Sequence, residues 1–292
     1  MFKNLTLARV TVLSSAGILG AAVRTVPFAP CGPTQVASVG FVPPRGPHGA
    51  WCESVAGHWI LAVKIQTKAV PPAALDKHVE AAAAAIEKET GRKPGKKHRR
   101  ELKDQALLDL LPKAFPKDTT VLVWIDSERG LLALDNVSPA KTDVVVTLLV
   151  QALGLVVAPL QTAVAPAAWM RHQLIGDPEN NGFDLGNECE LRNPETKATV
   201  RYANLSVATP EVAEHVLGGK QVRRLGLEWT NGTVADFVLA DDGTLRKIDL
   251  TIPATARSEG ADDFDANVAL GTGALRVLIA DLIAALGGEV QP

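Results

Sequence analysis

Seven cations, Arg92, Lys93, Lys96, Lys97, Arg99, Arg100 and Lys103, stand close together in the chain with a single acid, Glu101, among them. The protein as a whole has a formal net charge of -2, so the remainder carries -8. A mildly acidic chain with its cations gathered in one short stretch has a directional field that can hold a polyanion at that stretch while the rest stays soluble. The chemistry on offer is phosphate recognition, and nucleic acid is the first partner it implies.

Bond-making chemistry finds little material. The phosphate loop GxxxxGK[ST], HExxH and GxSxG are missing, and Gly271-Thr272-Gly273 is followed by Arg276 where a dinucleotide fingerprint needs its third glycine. Helix punctuation accounts for those glycines better. Asp262, Asp263 and Asp265 form an acid cluster able in principle to hold a metal, although aspartates at a helix start usually cap it. Asp241 and Asp242 belong to a turn, and the six histidines are scattered. Cys31, Cys52 and Cys189 are odd in number and lack a CxxC pair, which suits neither a disulfide framework nor structural zinc and fits a reducing cytoplasm. The expectation is a non-enzyme with no cofactor and no metal.

The elements that carry the cations are legible. Leu75, Val79, Ala82, Ala83 and Ile86 recur at helical spacing before Gly91 and Pro94, and a second helix is predicted from Lys97 to Leu111, stopped by Pro112. Lys96, Arg99, Arg100 and Lys103 share one face at the start of this second helix, and the leucines roughly continue that face. Cations at a helix N-terminus oppose the macrodipole by about 0.3 to 1 kcal/mol each, so local stability does not explain them. With the N-terminal amides they suit phosphate. A solvated charged loop is the plain alternative.

Elsewhere, Val121 to Ile125 and Leu131 to Leu134 read as a hairpin. Ser138 and Pro139 open a helix with a buried stripe of Val144, Val145, Leu148, Leu149 and Ala152, closed by Gly154. Pro159 to Pro166 reads as a linker. Beyond it Val222 to Trp229, Val234 to Ala240 and Leu245 to Leu250 form an antiparallel meander, and the last helix carries Leu275, Leu278, Ile279, Leu282, Ile283 and Leu286 before Gly287 and Gly288. The fold class is α+β, with mixed or antiparallel sheets, packed helices and a protruding basic helical hairpin. The division is residues 1–70 with 116–160 as a central α+β region, 71–115 as the hairpin tip, and 161–292 as a C-terminal α+β base.

The 47% hydrophobic content is ample for a core, whereas 4% aromatics leave little for a base-stacking platform. Val10 to Val23 is apolar enough to mimic a signal peptide, but Thr11, Ser14 and Ser15 interrupt it and Leu5 to Ala8 alternates like a strand. Neither a targeting segment nor a membrane span is expected.

Several segments then fall into a known order: Phe2-Lys3-Asn4-Leu5, Pro27-Phe28-Ala29-Pro30-Cys31-Gly32, Gly40-Phe41-Val42-Pro43-Pro44 and Leu110-Leu111-Pro112-Lys113-Ala114-Phe115. Trp124-Ile125-Asp126, Leu227-Glu228-Trp229, Asp241-Asp242-Gly243-Thr244-Leu245 and Leu286-Gly287-Gly288-Glu289 follow. Together they resemble, nearly end to end, the bacterial recombination-associated RdgC family. The resemblance implies a cytoplasmic, nucleoid-associated DNA-binding protein that forms a ring-shaped homodimer around duplex DNA with little sequence preference and restrains RecA-promoted recombination. Single-stranded DNA is a further candidate partner, with the order of affinity for single and double strands left open. Phe115, an ordinary core aromatic on its own merits, becomes a subunit contact by this resemblance.

Candidate DNA-binding residues are the seven cations of the hairpin together with Lys113, Lys117, Arg201, Lys220, Arg223, Arg224 and Lys247; Arg246 is a further basic neighbour. Consecutive strand residues point to opposite faces, so the second-domain cations are not expected all to line one channel. Relatives commonly carry a Lys- and Gln-bearing loop where this chain reads Arg201-Tyr202-Ala203-Asn204-Leu205-Ser206, keeping one cation. Two other functions compete with the clamp. One is a protein-interaction module whose basic hairpin docks an acidic partner such as RecA, and the other is a Mg²⁺ nuclease built on Asp262 to Asp265.

Overall fold

The computed structural model describes residues 2–11, 15–176, 182–251 and 263–290. The fold is α+β, and every pairing between the described strands is antiparallel. The first half contributes β1 (Thr6–Thr11), α1 (Ala16–Val23), β2 (Ala37–Val42), β3 (Glu53–Val55), β4 (His58–Lys68), α2 (Pro72–Thr90) and α3 (Lys96–Leu110). It continues with β5 (Pro116–Asp126), β6 (Leu131–Leu134), α4 (Pro139–Leu153) and β7 (Val156–Pro159). These strands make one seven-stranded sheet in the order β2-β4-β5-β6-β1-β7, with β3 also on β4. Then come α5 (Pro166–Ile175), β8 (Phe183–Arg192), β9 (Thr199–Ala203), α6 (Pro210–Leu217), β10 (Gln221–Thr230), β11 (Val234–Ala240), β12 (Leu245–Thr251) and α7 (Asp263–Ala285). The second sheet has the order β12-β11-β10-β8-β9.

Strands β4 and β5 run against each other from His58 opposite Asp126 to Lys68 opposite Pro116. Their side chains alternate between two cores, as a period of two requires. Leu61, Val63 and Ile65 with Val121, Val123 and Ile125 meet Leu19 and Val23 of α1 and Val145, Leu148 and Leu149 of α4. Ile60 and Trp124 face the other way, into a larger cluster shared with the second sheet and α7. A strand buried on both faces reads as the near-continuous apolar run Ile60-Leu61-Ala62-Val63.

Helix α7 is apolar and long enough to cross a bilayer by length and composition. Its Leu275, Leu278, Ile279 and Leu282, with Leu286 just past its end, are instead buried in the shared cluster with Trp229, Leu239 and Leu131. The segment before β1 ties the halves together. Leu5 N–H donates to Leu245 O at 2.7 Å and Leu245 N–H returns to Leu5 O at 2.9 Å, so the segment entering β1 also borders β12.

Some expectations need correction. Val144 is 39% exposed, and α4 buries Val145, Leu148 and Leu149 instead. The glycines of Gly271-Thr272-Gly273 do not punctuate a helix start; they lie inside α7, where buried Thr272 donates from Oγ1 to Val268 O at 2.7 Å. The Pro159 to Pro166 stretch is no free tether, because Ala163 N–H donates to Gly288 O at 3.0 Å and Val164 N–H to Leu286 O at 2.9 Å.

Candidate nucleic-acid interface

Helices α2 and α3 replace the tight turn that would otherwise join β4 to β5. Their packing seam is narrow: Val79 and Ala83 of α2 and Ala106 of α3 are the buried residues, with Leu75, Ala82, Ile86, Leu102, Leu107 and Leu110 partly covered. Gly91 closes α2 in the left-handed region at φ 71°, and Gly95 opens α3 without a side-chain cap. Arg99 also bridges the two helices, donating to Glu80 at 2.5 Å, and His78 lies 3.6 Å from Asp109.

Arg92, Lys93, Lys96, Lys97, Arg99, Arg100 and Lys103 are all exposed. Arg99 alone among them has an ion-pair partner within the described residues. The first turn of α3 holds no acid to offset them. Its cationic face flanks the seam rather than continuing it, for Leu102 and not Lys103 is the partly buried residue at that level. Lys113 follows in a 3-10 turn, Leu111–Lys113, and Lys117 stands near the start of β5; both are exposed.

Phe115, between that turn and β5, is 92% exposed. The plain core reading of this ring is therefore overturned within the monomer. Nearby, the segments Pro27 to Gly32 and Gly40 to Pro44 meet. Phe28 N–H donates to Phe41 O at 2.8 Å, Cys31 N–H to Gln66 Oε1 at 2.7 Å, and Lys68 Nζ to Gly32 O at 2.9 Å. A Cβ on Gly40 would lie 2.5 Å from Phe28 Cα, so only glycine allows this crossing. Lys64 sits 4.9 Å over the Phe28 ring and 2.7 Å from Asp118, whose carboxyl it holds below the usual range with help from Gln66.

In the second sheet Val222, Leu225, Leu227 and Trp229 point into the core, so the opposite face of β10 is open. Arg201 on β9, Glu190 on β8 and Arg224 on β10 are direct cross-strand neighbours there. With Glu188, Arg246 and Lys247 they line a cleft of about 210 Å³. Lys247 sits at a bulge with φ 52° and pairs with Glu188. Arg223 pairs instead with Asp241, and Lys220 Nζ lies 2.9 Å from His215, so neither lines this cleft. The glutamates escaped sequence reasoning, because only strand register sets Glu190 between two arginines.

Of the acid cluster, Asp265 pairs with Arg45, whose guanidinium lies 4.7 Å over the Phe264 ring. Asp262 and the side chain of Asp263 fall outside the described residues. Among the described residues no three His, Cys, Asp or Glu groups assemble for a metal. Asp242 accepts from Thr244 N–H at 3.0 Å and Oγ1 at 2.6 Å, as a turn residue does. Cys52 and Cys189 are buried free thiols, pushed up to about 11 and about 12 by desolvation.

One buried polar group stands apart from the cationic surfaces. Trp124 Nε1–H donates to His58 Nδ1 at 3.2 Å, and burial holds the His58 imidazole below its ordinary range.

A family model described as "Putative exonuclease, RdgC" matches residues 1–289. The protein named "Recombination-associated protein RdgC" in Janthinobacterium sp. (strain Marseille) is 35% identical over 302 residues, covering 99% of both chains. Its namesake in Herminiimonas arsenicoxydans is 34% identical over 99% of this chain and 98% of its own. The one in Salmonella paratyphi B is 31% identical over 99% of each. A match of this extent, over nearly the whole of each chain, places the chain in the recombination-associated RdgC family.

Proposed function

We propose that this protein is a non-enzymatic, sequence-independent DNA-binding clamp, cytoplasmic and nucleoid-associated, that encircles duplex DNA as a ring-shaped homodimer and restrains RecA-promoted recombination. The observation that carries the reading is the set of exposed cations on the α2–α3 hairpin, six of the seven without an ion-pair partner among the described residues. Lys and Arg facing phosphates give affinity, salt dependence and sliding without base-edge readout. The recombination-associated name of the relatives fits such a partner. Exposed Phe115 supports closure of the ring, since a bare aromatic beside a rigid ladder is suited to anchor in a partner's pocket. The division into a central region, hairpin tip and base belongs to this proposal too.

The test is duplex binding by the full chain across a salt series, on unrelated sequences. Each phosphate neutralised contributes a slope of about -0.9 in log affinity against log salt. Reversing Arg99, Arg100 and Lys103 to Glu should weaken all duplexes alike and flatten the slope. Loss confined to one sequence, or no loss, would refute the hairpin as a DNA surface. Unchanged DNA binding with lost RecA binding would favour the interaction-module alternative.

The family model's description favours a second reading, an exonuclease. It is separated by a cleavage assay in Mg²⁺ and in EDTA. The clamp binds equally in both apart from ionic screening, whereas cleavage that vanishes in Asp263→Ala would establish the nuclease.

A further inference from the structure

The cleft on the open face of the five-stranded sheet is layered by charge. Arg201 and Lys247 side chains are 71% and 70% exposed and Arg224 is 44% exposed. The acids beneath them are less accessible, Glu190 at 16% and Glu188 at 32%. Glu190 Oε2 accepts from Arg201 Nε at 2.9 Å and lies 3.4 Å from Arg224 Nη1, so one carboxylate serves two guanidiniums. Arg246, which also lines the cleft, donates to Thr244 Oγ1 at 3.1 Å and lies 3.6 Å from Asp242. A cationic partner would need the carboxylates outermost, but here the cations cover them. An anion approaching from solvent meets the guanidinium and ammonium groups first.

We propose that Glu188 and Glu190 are built-in phosphate surrogates. They hold Arg201, Arg224 and Lys247 in an array that the backbone of duplex DNA engages, and they mask those charges until phosphate displaces them. A carboxylate presents a guanidinium with the same paired anionic oxygens as a phosphodiester, which is what lets one replace the other. The cleft is thus a second, attenuated contact besides the hairpin. This inference rests on the DNA-binding reading and assigns it a regulator: the sheet's grip is set by competition with its own glutamates.

The experiment measures affinity of the full chain for a fluorescent duplex over a KCl series, for the unaltered protein, Glu190→Gln, Glu188→Gln, Glu190→Gln with Arg224→Gln, and the hairpin triple reversal. An exposed pair biases an equilibrium by about 1.4- to 5-fold, so Glu190→Gln, which frees two, should tighten binding by roughly 2- to 25-fold. The two freed cations should steepen the salt slope by up to about 1.8, and Glu188→Gln, freeing Lys247, by up to about 0.9. Adding Arg224→Gln to Glu190→Gln should take back part of the gain. If both glutamine variants bind with unaltered affinity and slope while the hairpin reversal loses binding, the surrogate role is overturned and the clamp stands. If the unaltered protein shows no salt-dependent duplex binding, both fall. A gain in binding to polyglutamate without a gain for duplex assigns the cleft to a protein partner and overturns the proposal. Should Glu190→Gln fail to fold, Glu188→Gln alone decides through Lys247.

Discussion

Replacing Phe115 by Ser removes a ring that is 92% exposed in the isolated chain, so the fold has little to lose from it. Surface substitutions of this kind usually change stability by within about 0.5 kcal/mol, against roughly 3 to 5 kcal/mol for truncating a core Phe. In the proposed dimer this side chain has more at stake. Burying a Phe side chain is worth about 1.5 to 3 kcal/mol, and a two-fold symmetric interface buries the residue from both subunits, giving about 3 to 6 kcal/mol per dimer. At about 1.4 kcal/mol per tenfold, the dissociation constant should rise by roughly 10² to 10⁴. Analytical ultracentrifugation over a dilution series reads this directly. Retention on circular duplex, where escape from the proposed ring requires opening it, should fall in parallel, while the thermal midpoint of the monomer barely moves. A variant that unfolds several degrees earlier yet stays dimeric on dilution would refute the reasoning, and closure would have to lie at another contact.

Two further outcomes follow from the buried groups. Neutral His58 accepts from Trp124, while the unfolded chain takes up a proton near pH 6.5, so this contribution is complete above about 6.5 and declines as pH falls from there toward the lower folded value. Asp126 acts against this shift and Arg276 with it, so the thermal midpoint should drop between pH 7 and 5.5 in the native chain and by less in His58→Asn; equal or opposite slopes would contradict the assignment. Gly40→Ala puts a Cβ 2.5 Å from Phe28 Cα, an overpacking worth about 1 to 3 kcal/mol, and differential scanning calorimetry should show a midpoint several degrees lower; an unchanged midpoint would mean that the crossing of Phe28 over Gly40 imposes no constraint.

Elements with a strong local period were legible in the residues. The Leu275 to Leu286 stripe, the Val234 to Ala240 strand and both hairpin helices stand where their apolar spacing puts them, because each buries one face against neighbours already in place. Val144 was misplaced because a helix wheel fixes relative angles and not which flank of a wide apolar face meets the sheet. Gly271 and Gly273 looked like punctuation, yet Val268 and Leu275 on either side carry one buried stripe straight through them. Partnerships across the fold leave no local trace. Leu5 and Leu245 are joined only when strands from distant parts of the chain meet, and Glu190 with Arg201 and Arg224 only when β8 falls into register with the strands on either side of it. Phe115 illustrates the same limit in reverse, since a hydrophobic type alone cannot say that its site lies in solvent.

The insertion of α2 and α3 at the far end of the β4–β5 ladder makes the reach of the basic tip an adjustable dimension. Lys68 and Pro116 are held opposite each other whatever lies between them, and doubling the length of a connecting loop costs only about 0.6 kcal/mol in closure entropy. Adding one turn to each helix would carry Arg92 to Lys103 about 5.4 Å farther out without disturbing a single pair of the ladder. In the proposed ring, bore and grip can therefore be resized separately: the sheets and α7 fix the frame, and the hairpin fixes how far the cations extend from it.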